Sequence, residues 1–551
     1  MKALLLYPEL PYSFWSLKET CKISGCKTLL PPLGLLTAAA LLPQDWEFRL
    51  VDLNTRPLSD ADWDWCDLVL VSGMIIQQND ILGLVREAKQ RGKIAVAGGP
   101  YATSLPRAVL EAGVDFLVKG EGEVAIPYFV AALRQGLKGG VFKEDRKPDM
   151  AASPVPRFDL IDVAHYNDMT IQTSRGCPYD CEFCDIVNLF GRVPRYKSPE
   201  QVIQELETLY RLGWRRHVFI SDDNFIGNKK HARAILSRMI PWNKSKGEPF
   251  GFWTQTSVTL GQDLALIDLM TEANFNCVFL GVETPETEIL SRSHKFHNLR
   301  QPLVESLDTI NARGLSLVGS FIIGFDHEKS GAGDRIYEFV EQCNIPAVML
   351  NLLEVLPNTR LWDRLEQEGR LLPGQTSGDF FDLSLNYRPT RARKEILTEY
   401  VRALDRIYEP SSYLARAYRY YLNMRPTRRA LKGRKGNKAA GNPSPPRVYP
   451  GFKSKELLSL VILIWRQGVR SPYRWQFWRQ LLGIYRHNPS RLKTYLISCA
   501  MGENFFSLRQ KILQKGVPVS CPEDWEARLF TMSKQARQTA GPRSQDSLKR
   551  V

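Results

Sequence analysis

The feature that most constrains the fold is a repeated switch of hydrophobic period. Through the first 360 residues or so, short uninterrupted apolar runs alternate with stretches of helical spacing. The first runs are Lys2–Tyr7, Phe48–Leu53, Leu68–Ser72, Lys93–Ala97 and Phe116–Val118, with helical patterns such as Leu33–Leu42 and Ile81–Arg91 between them. Apolar strands that each feed a helix predict a parallel sheet covered on both faces. Turn formers follow most runs: Asn54, Ser72 with Gly73, Gly98 with Gly99, and Gly120 with Gly122. Ligands of such sheets bind beyond the strand C-termini, where glycine lets backbone approach them. Residues 137–164 hold Gly139, Gly140, Pro148, Pro154 and Pro156 with little periodicity and read as a linker.

Alternation then resumes. Strand patterns fall at Met169–Thr173, Val218–Ser221, Gly251–Ser257, Cys277–Val282, Leu315–Ile323 and Ala347–Leu356, with helical stretches such as Pro199–Leu212 and Leu264–Ala273 between. Six βα units predict a barrel or partial barrel whose chemistry sits at the strand C-termini. From residue 391 the strands stop. Glu395–Leu422 is helical in pattern, 425–447 is a basic Gly/Pro-rich break, and helix resumes up to residue 515. The expected class is α/β with a helical C-terminal domain. The expected units are a Rossmann-like domain at 1–136, the linker at 137–164, the barrel at 165–390, a basic helical domain at 391–525 and a disordered tail at 526–551.

Charge divides along the same line. The net charge is +15, yet residues 391–551 hold 33 Lys and Arg against 10 Asp and Glu, while 1–390 hold 41 against 49. A basic C-terminal domain admits nucleic acid, an anionic membrane or an acidic partner. Met1–Tyr7 runs straight into a strand pattern with no cleavage site, and the longest apolar run, Leu457–Trp465, is too short for the roughly 20 residues of a membrane span. The chain is therefore expected in the cytoplasm, with the inner membrane surface as a peripheral site.

Of ten cysteines, seven are scattered and read as buried apolar residues; the five-residue spacing of Cys21 and Cys26 is a weak signal. The other three crowd into Ser174-Arg-Gly-Cys177-Pro-Tyr-Asp-Cys181-Glu-Phe-Cys184-Asp. Three thiolates on one loop can ligate three irons of a cubane cluster and leave the fourth iron open to a substrate or cofactor. Structural zinc usually takes four ligands, and no further Cys or His lies close by in sequence.

A CxxxCxxC loop after the first strand of a six-unit βα barrel resembles the radical S-adenosylmethionine (SAM) superfamily. The resemblance covers residues 165–360. It implies a [4Fe–4S] cluster on Cys177, Cys181 and Cys184, and SAM chelated at the open iron. It further implies an aromatic at Phe183 near the adenine, and reductive cleavage of SAM to a 5′-deoxyadenosyl radical. Asp222, in Ser221-Asp-Asp-Asn-Phe225, then faces the methionine ammonium, unless that stretch simply caps a helix. Gly281 and Glu283 match a GxE pattern near SAM. Gln255 points from the third strand, and a polar core position is its alternative. Gly319–Gly324 on the fifth strand allows close packing.

The preceding segment resembles the cobalamin-binding domain of class B radical SAM proteins, through Pro31-Pro-Leu-Gly-Leu-Leu, Val51-Asp-Leu-Asn, Ser72-Gly-Met, Ala97-Gly-Gly-Pro-Tyr and Lys119-Gly-Glu-Gly-Glu. Residues 1–164 contain no histidine. The DxHxxG ligand of many cobalamin domains is absent, so cobalamin is expected base-off and histidine-off. A nucleotide-binding domain is the alternative, weakened because no GxGxxG follows the first strand. The whole layout resembles the group that includes the hopanoid 2-methylase. It implies methylation of an unactivated carbon of a hydrophobic substrate, with a reducing partner such as flavodoxin or ferredoxin. A cobalamin-dependent cyclase or rearrangement enzyme, a nucleic-acid modifier and a non-enzymatic iron–sulfur scaffold are the alternatives. In the C-terminal domain, Trp478, Leu481, Leu482 and Tyr485 share a helical face beside Arg466, Arg470, Arg474, Arg479 and Arg486. That face fits either packing on the barrel or contact with an anionic bilayer, with nucleic acid less favoured.

Overall fold

The computed structural model describes residues 1–372, 376–378, 383–431 and 454–516. The expected disordered tail, Cys521 and most of the basic break lie outside the described residues.

The first unit is a six-stranded sheet: β1 (Lys2–Tyr7), β2 (Glu47–Asp52), β3 (Leu68–Ser72), β4 (Ile94–Gly98), β5 (Phe116–Lys119) and β6 (Gly140–Lys143). All pairings are parallel, in the order β2-β1-β3-β4-β5-β6. The central strands are buried on both faces, by helices such as Leu33–Leu41 on one side and Gln78–Gln90 on the other. This explains their unbroken apolar runs. The chain direction reverses between β1 and β3, so the ligand crevice belongs at their C-terminal ends. The linker reading of 137–164 needs correction at one place: Gly140–Lys143 is an edge strand. Its outward positions are exposed, so it carried no apolar period to read.

The second sheet comprises β7 (Met169–Ile171), β10 (His217–Ile220), β11 (Gly251–Thr256), β12 (Phe275–Glu283), β13 (Ser316–Ile323) and β14 (Ala347–Leu352). They pair in parallel and in chain order, and β7 and β14 do not pair with each other. This is a partial barrel, open along one side. Between β7 and β10 a short antiparallel ribbon, β8 (Ser174–Arg175) with β9 (Arg195–Tyr196), brackets the cysteine loop.

The C-terminal unit is helical. The expected single helix over 395–422 is two, Arg393–Ile407 and Pro410–Asn423, because Pro410 starts the second and cannot continue the first. The helices Arg474–His487 and Leu492–Lys515 follow. Leu492–Lys515 buries Tyr495, Cys499 and Phe505. Phe505 stacks on Phe14, with centroids 5.1 Å apart. Thus the segment after β1 ties all three units together. Among the described residues no helix is long and apolar enough to cross a membrane.

Candidate active site

The cysteine loop is held by backbone geometry. Gly176 has φ 95°, and a Cβ there would lie 2.9 Å from the Gly191 carbonyl oxygen, so only glycine fits the turn into Cys177. The Cys177 amide donates to that same carbonyl at 3.2 Å. Cys177, Cys181 and Cys184 are all partly exposed. Burial of the sulfur atoms pushes all three thiols up. The backbone amides of Tyr179 and Ile186 pull Cys177 and Cys184 back down, and the Lys295 ammonium does so for Cys177 and Cys181. A buried thiol surrounded by amide donors and an ammonium gains from becoming a metal-bound thiolate. The thiols sense one another electrostatically. Yet among the described residues no three His, Cys, Asp or Glu side chains converge on the point a single ion needs. Three thiolates on one loop suit three irons of a polynuclear cluster, and structural zinc usually takes four ligands.

The aspartates after β10 divide their labour. Asp222 is fully buried, and its oxygens accept from the amides of Thr173 and Ser174 at 2.6 and 3.0 Å and from their hydroxyls at 2.5 and 2.8 Å. With four donors already in place it positions the strand-to-loop turn. The expectation that it meets an ammonium is corrected, and it caps no helix either: the following helix is capped by Asn228. Its neighbour Asp223 accepts only from the Gly176 amide, at 2.9 Å. Burial pushes the Asp223 carboxyl up to about 7. Asn224 is buried, and among the described residues neither its amide nitrogen nor its carbonyl oxygen has a partner. Thr256 at the end of β11 and Asn351 near the end of β14 likewise bury an oxygen without a partner. Such atoms cost about 1–3 kcal/mol each unless a ligand or water satisfies them. They stand at strand ends, where a polar ligand would satisfy them.

Glu283 ends β12 with φ 67°, a left-handed conformation that aims its buried side chain at the Lys295 ammonium, 2.5 Å away. Burial alone would lower the lysine, but Glu283 reverses this and holds it charged. The Lys295 ammonium lies 5.7 Å from the Phe183 ring, which packs edge-on to Phe325. A Cβ on Gly281 would lie 2.7 Å from that ammonium, so the glycine leaves it room. Tyr179 stacks on His297 at 3.6 Å, and burial beside Lys295 and Arg300 pushes that imidazole down to about 3, leaving it neutral. Gln255 is partly exposed on β11, and Gly319 faces Ile345 rather than an open site. Arg364, from the helix Arg360–Gln367, donates to Glu182 at 3.1 Å and clamps the loop from the far side of the barrel. Lys295 and His297 share one turn and Arg364 comes from a later helix, all distant in sequence from the cysteines, and no local motif marks them.

The N-terminal sheet presents its glycines to the same place. Gly99 has φ 84°, and a Cβ there would fall 2.2 Å from the Ser72 hydroxyl. Gly120 has φ 76° beside the Glu144 carboxylate, and Gly73 lies tight against Gln77. Gly98 approaches the Val118 carbonyl, and Gly122 approaches Ile126. At these five positions a side chain would meet the chain's own atoms, so glycine lets the ends of β3, β4 and β5 pack tightly. The carboxylates of Lys119-Gly-Glu-Gly-Glu point elsewhere. Glu121 is buried between Arg175 at 2.8 Å and Arg195 at 2.6 Å, and Glu123 meets Arg175 at 2.9 Å. Arg175 and Arg195 are the two strands of the ribbon that brackets the cysteine loop. The short helix Gly99–Ser104 also contacts the helix Ile186–Phe190 that follows Cys184. The C-terminal edges of both sheets therefore meet at the cysteine loop. Every histidine lies outside 1–164. Cys21, Cys26, Cys66, Cys343 and Cys499 are buried as expected, and Cys277 is half-buried.

Comparison with known proteins agrees with this arrangement. The B12 binding domain family matches residues 25–130, the Radical SAM superfamily matches 171–340, and a domain of unknown function (DUF4070) matches 359–516. An uncharacterized methyltransferase of Synechocystis sp. is 45% identical over 94% of this chain and 93% of its own. The hopanoid C-2 methylase of Rhodopseudomonas palustris is 32% identical over 87% of this chain and 88% of its own. In fold, the chain is similar to the cobalamin-dependent SAM radical enzyme OxsB (TM-score 0.58, 15% identity, 98% of this chain and 83% of that one). The chain belongs to the cobalamin-binding branch of the radical SAM superfamily, an enzyme family whose cofactors are a [4Fe–4S] cluster, SAM and cobalamin.

Proposed function

We propose that the protein is a methyltransferase acting on an unactivated carbon of a hydrophobic small molecule, with hopanoid or another lipid as the substrate class. The observation that carries this reading is the character of the barrel interior. Strand register puts Phe219, Trp253, Phe279, Val318 and Met349 on one inner face. Trp253 stacks on Phe219 at 3.9 Å, and Trp15 enters beside both Trp253 and Phe279. Trp15, Trp253, Val318, Ile322 and Met349 stay partly exposed, while the alternate positions are buried under helices. An open, aromatic-lined lumen favours an apolar ligand. Thr170 and Asn351, on the same face, each bury an unpartnered oxygen that can orient a polar tip.

When bound, the three cofactors supply reductive cleavage of SAM and a methyl group for the resulting carbon radical. The chain's own residues do the rest. Cys177, Cys181 and Cys184 hold the cluster. Asp223, Asn224 and the Glu283–Lys295 pair offer charge and hydrogen bonds beside it. Gly73, Gly98, Gly99, Gly120 and Gly122 lie at the strand ends of the opposite wall, where cobalamin would bind. With no histidine in 1–164, that wall supplies no imidazole to cobalt, and a base-off form is expected. The electron donor we assign is an acidic flavodoxin or ferredoxin. Arg192 and Arg360, each with more than half its side chain open, flank the cluster loop at Asp180 and suit such a partner.

Lipid extracts of parent and deletion strains test the substrate class. The reading expects a methylated lipid that vanishes on deletion and returns with the intact gene but not with a Cys177→Ala copy. Unchanged lipids, or a changed ring skeleton without methyl loss, would contradict it.

A further inference from the structure

The C-terminal unit carries an apolar surface that the catalytic reading does not use. In the helix Ser454–Leu463 and the π-helical turn Ile464–Arg470, Leu457, Val461, Trp465 and Val469 recur every four residues, and all are exposed. Trp465 is 59% open, and Leu458 beside the stripe is 65% open. The next helix, Arg474–His487, exposes Trp475, Trp478, Leu482 and Tyr485 and buries Phe477, Gln480 and Ile484 instead. The two stripes adjoin, because the Trp478 indole donates to the Gly468 carbonyl at 2.8 Å, and a side chain at Gly468 would collide with that ring. The aromatic face read from sequence thus lies largely on the outside of the unit, with Leu481 half-buried, and the opposite side of the helix packs on the helices Pro410–Asn423 and Leu492–Lys515.

The rim of this surface is basic. Arg470, Arg474, Arg479 and Arg486 are exposed along it. Nearby, Arg466 pairs with Glu19 and Glu503, and Lys493 pairs with Glu456. Arg474 lies over its neighbour Trp475 at 5.8 Å. Within 454–487 the sole acidic residue is Glu456, which pairs with Lys493.

We propose that this face is a docking surface for an anionic lipid bilayer. Aliphatic and indole side chains at its centre enter the headgroup boundary, and the arginines around them meet lipid phosphates. The observations favour this occupant over two others. A second copy of the chain would set one arginine rim against its twin, and like charges repel. Single-stranded nucleic acid stacks on aromatic rings but makes no use of Leu457, Leu458, Val461, Val469 and Leu482.

The test is co-sedimentation of the full-length protein with phosphatidylcholine vesicles, with and without phosphatidylglycerol. Binding is expected only with phosphatidylglycerol, and it should weaken as salt rises. Replacing Arg474, Arg479 and Arg486 by Gln should lower affinity about fivefold for each charge removed, on the order of 100-fold in all. Trp465→Ser with Trp475→Ser should also release the protein at unchanged charge, because the apolar insertion is lost. These positions are exposed, so circular dichroism should show an unaltered fold. Three results would overturn the proposal: equal recovery with and without phosphatidylglycerol, a dimer that the tryptophan substitutions dissociate, or tight binding to a single-stranded oligonucleotide with no vesicle binding. None of these readouts depends on catalysis, so the proposed methylation stands or falls separately.

Discussion

The N-terminal sheet and the barrel sheet are both six-stranded and parallel, and both point their strand C-termini at the cysteine loop, yet they prepare those ends differently. The first packs its strand ends tightly with glycine. Its charged motif residues, Glu121 and Glu123, are spent on Arg175 and Arg195, and side chains at Gly99 and Gly120 would strike Ser72 and Glu144. The barrel instead leaves polar atoms waiting. Among the described residues, Asn224, Thr256 and Asn351 bury oxygens without a partner, and Asp223 keeps a single amide donor. The contrast shows that a residue inside a binding motif can serve the join between domains rather than the ligand.

The comparison can be broken most severely at the barrel side. Anaerobically reconstituted protein should carry about four irons on the loop. Replacing Cys177, Cys181 and Cys184 together by Ala should remove them all, while circular dichroism stays unchanged, because the loop is partly exposed and outside the core. A triple variant that keeps its iron would show that the cluster lies elsewhere.

The join comes next. Glu121→Ala leaves Arg195 without its carboxylate and Arg175 with Glu123 alone, at a cost of about 3–5 kcal/mol. Chemical denaturation should record that loss, and both iron and cobalamin occupancy should fall because one network supports both. If only one cofactor falls, the two edges are not coupled through this cluster.

On the N-terminal wall, Gly99→Val adds about 1–2 kcal/mol of left-handed strain and drives a side chain onto Ser72. Cobalamin absorbance should be lost with iron retained, the reverse of the cysteine result. The cobalamin of the parent protein should show no nitrogen coupling from a chain histidine. Seeing such coupling would contradict the histidine-off expectation.

The smallest effect concerns Glu328, buried between the barrel and the C-terminal unit. Burial pushes its carboxyl up to about 8, against the Gly324 amide and Arg391, which pull it down. The unfolded chain releases this proton near about 4.3, so the native state holds an extra proton between the two values. Stability should therefore fall as pH rises from the acid side toward 8. Glu328→Gln should flatten that slope in thermal melts at a series of pH values. An unchanged slope would mean the carboxylate is ionised throughout.

Most strands of both sheets were legible because apolar side chains occupy both of their faces, so their apolar runs carry little interruption; observed ends differ from the expected ones by a few residues. Edge strand β6 was not legible, since half of it faces water. The cysteine loop was legible because its spacing is local. Lys295, His297 and Arg364 were not, because the segment after Arg292 and the helix Arg360–Gln367, both distant in sequence, bring them there. Asp222 misled because a carboxylate beside a ligand and one tying a turn look alike in sequence; the neighbouring Asp223 carries the less occupied group. The aromatic face of Arg474–His487 was visible as a periodicity, but which side of the helix it covers depends on Phe477 and Ile484 filling the core instead.

The measurement that bears most directly on the whole account is product analysis of the reconstituted enzyme with cobalamin, SAM, a one-electron reductant and a lipid extract from the deletion strain. The account predicts 5′-deoxyadenosine and S-adenosylhomocysteine in equal amounts, matched by methylated lipid. 5′-Deoxyadenosine alone would mean radical chemistry without methylation. The absence of both would contradict the assignment of the cysteine loop as a SAM-cleaving site.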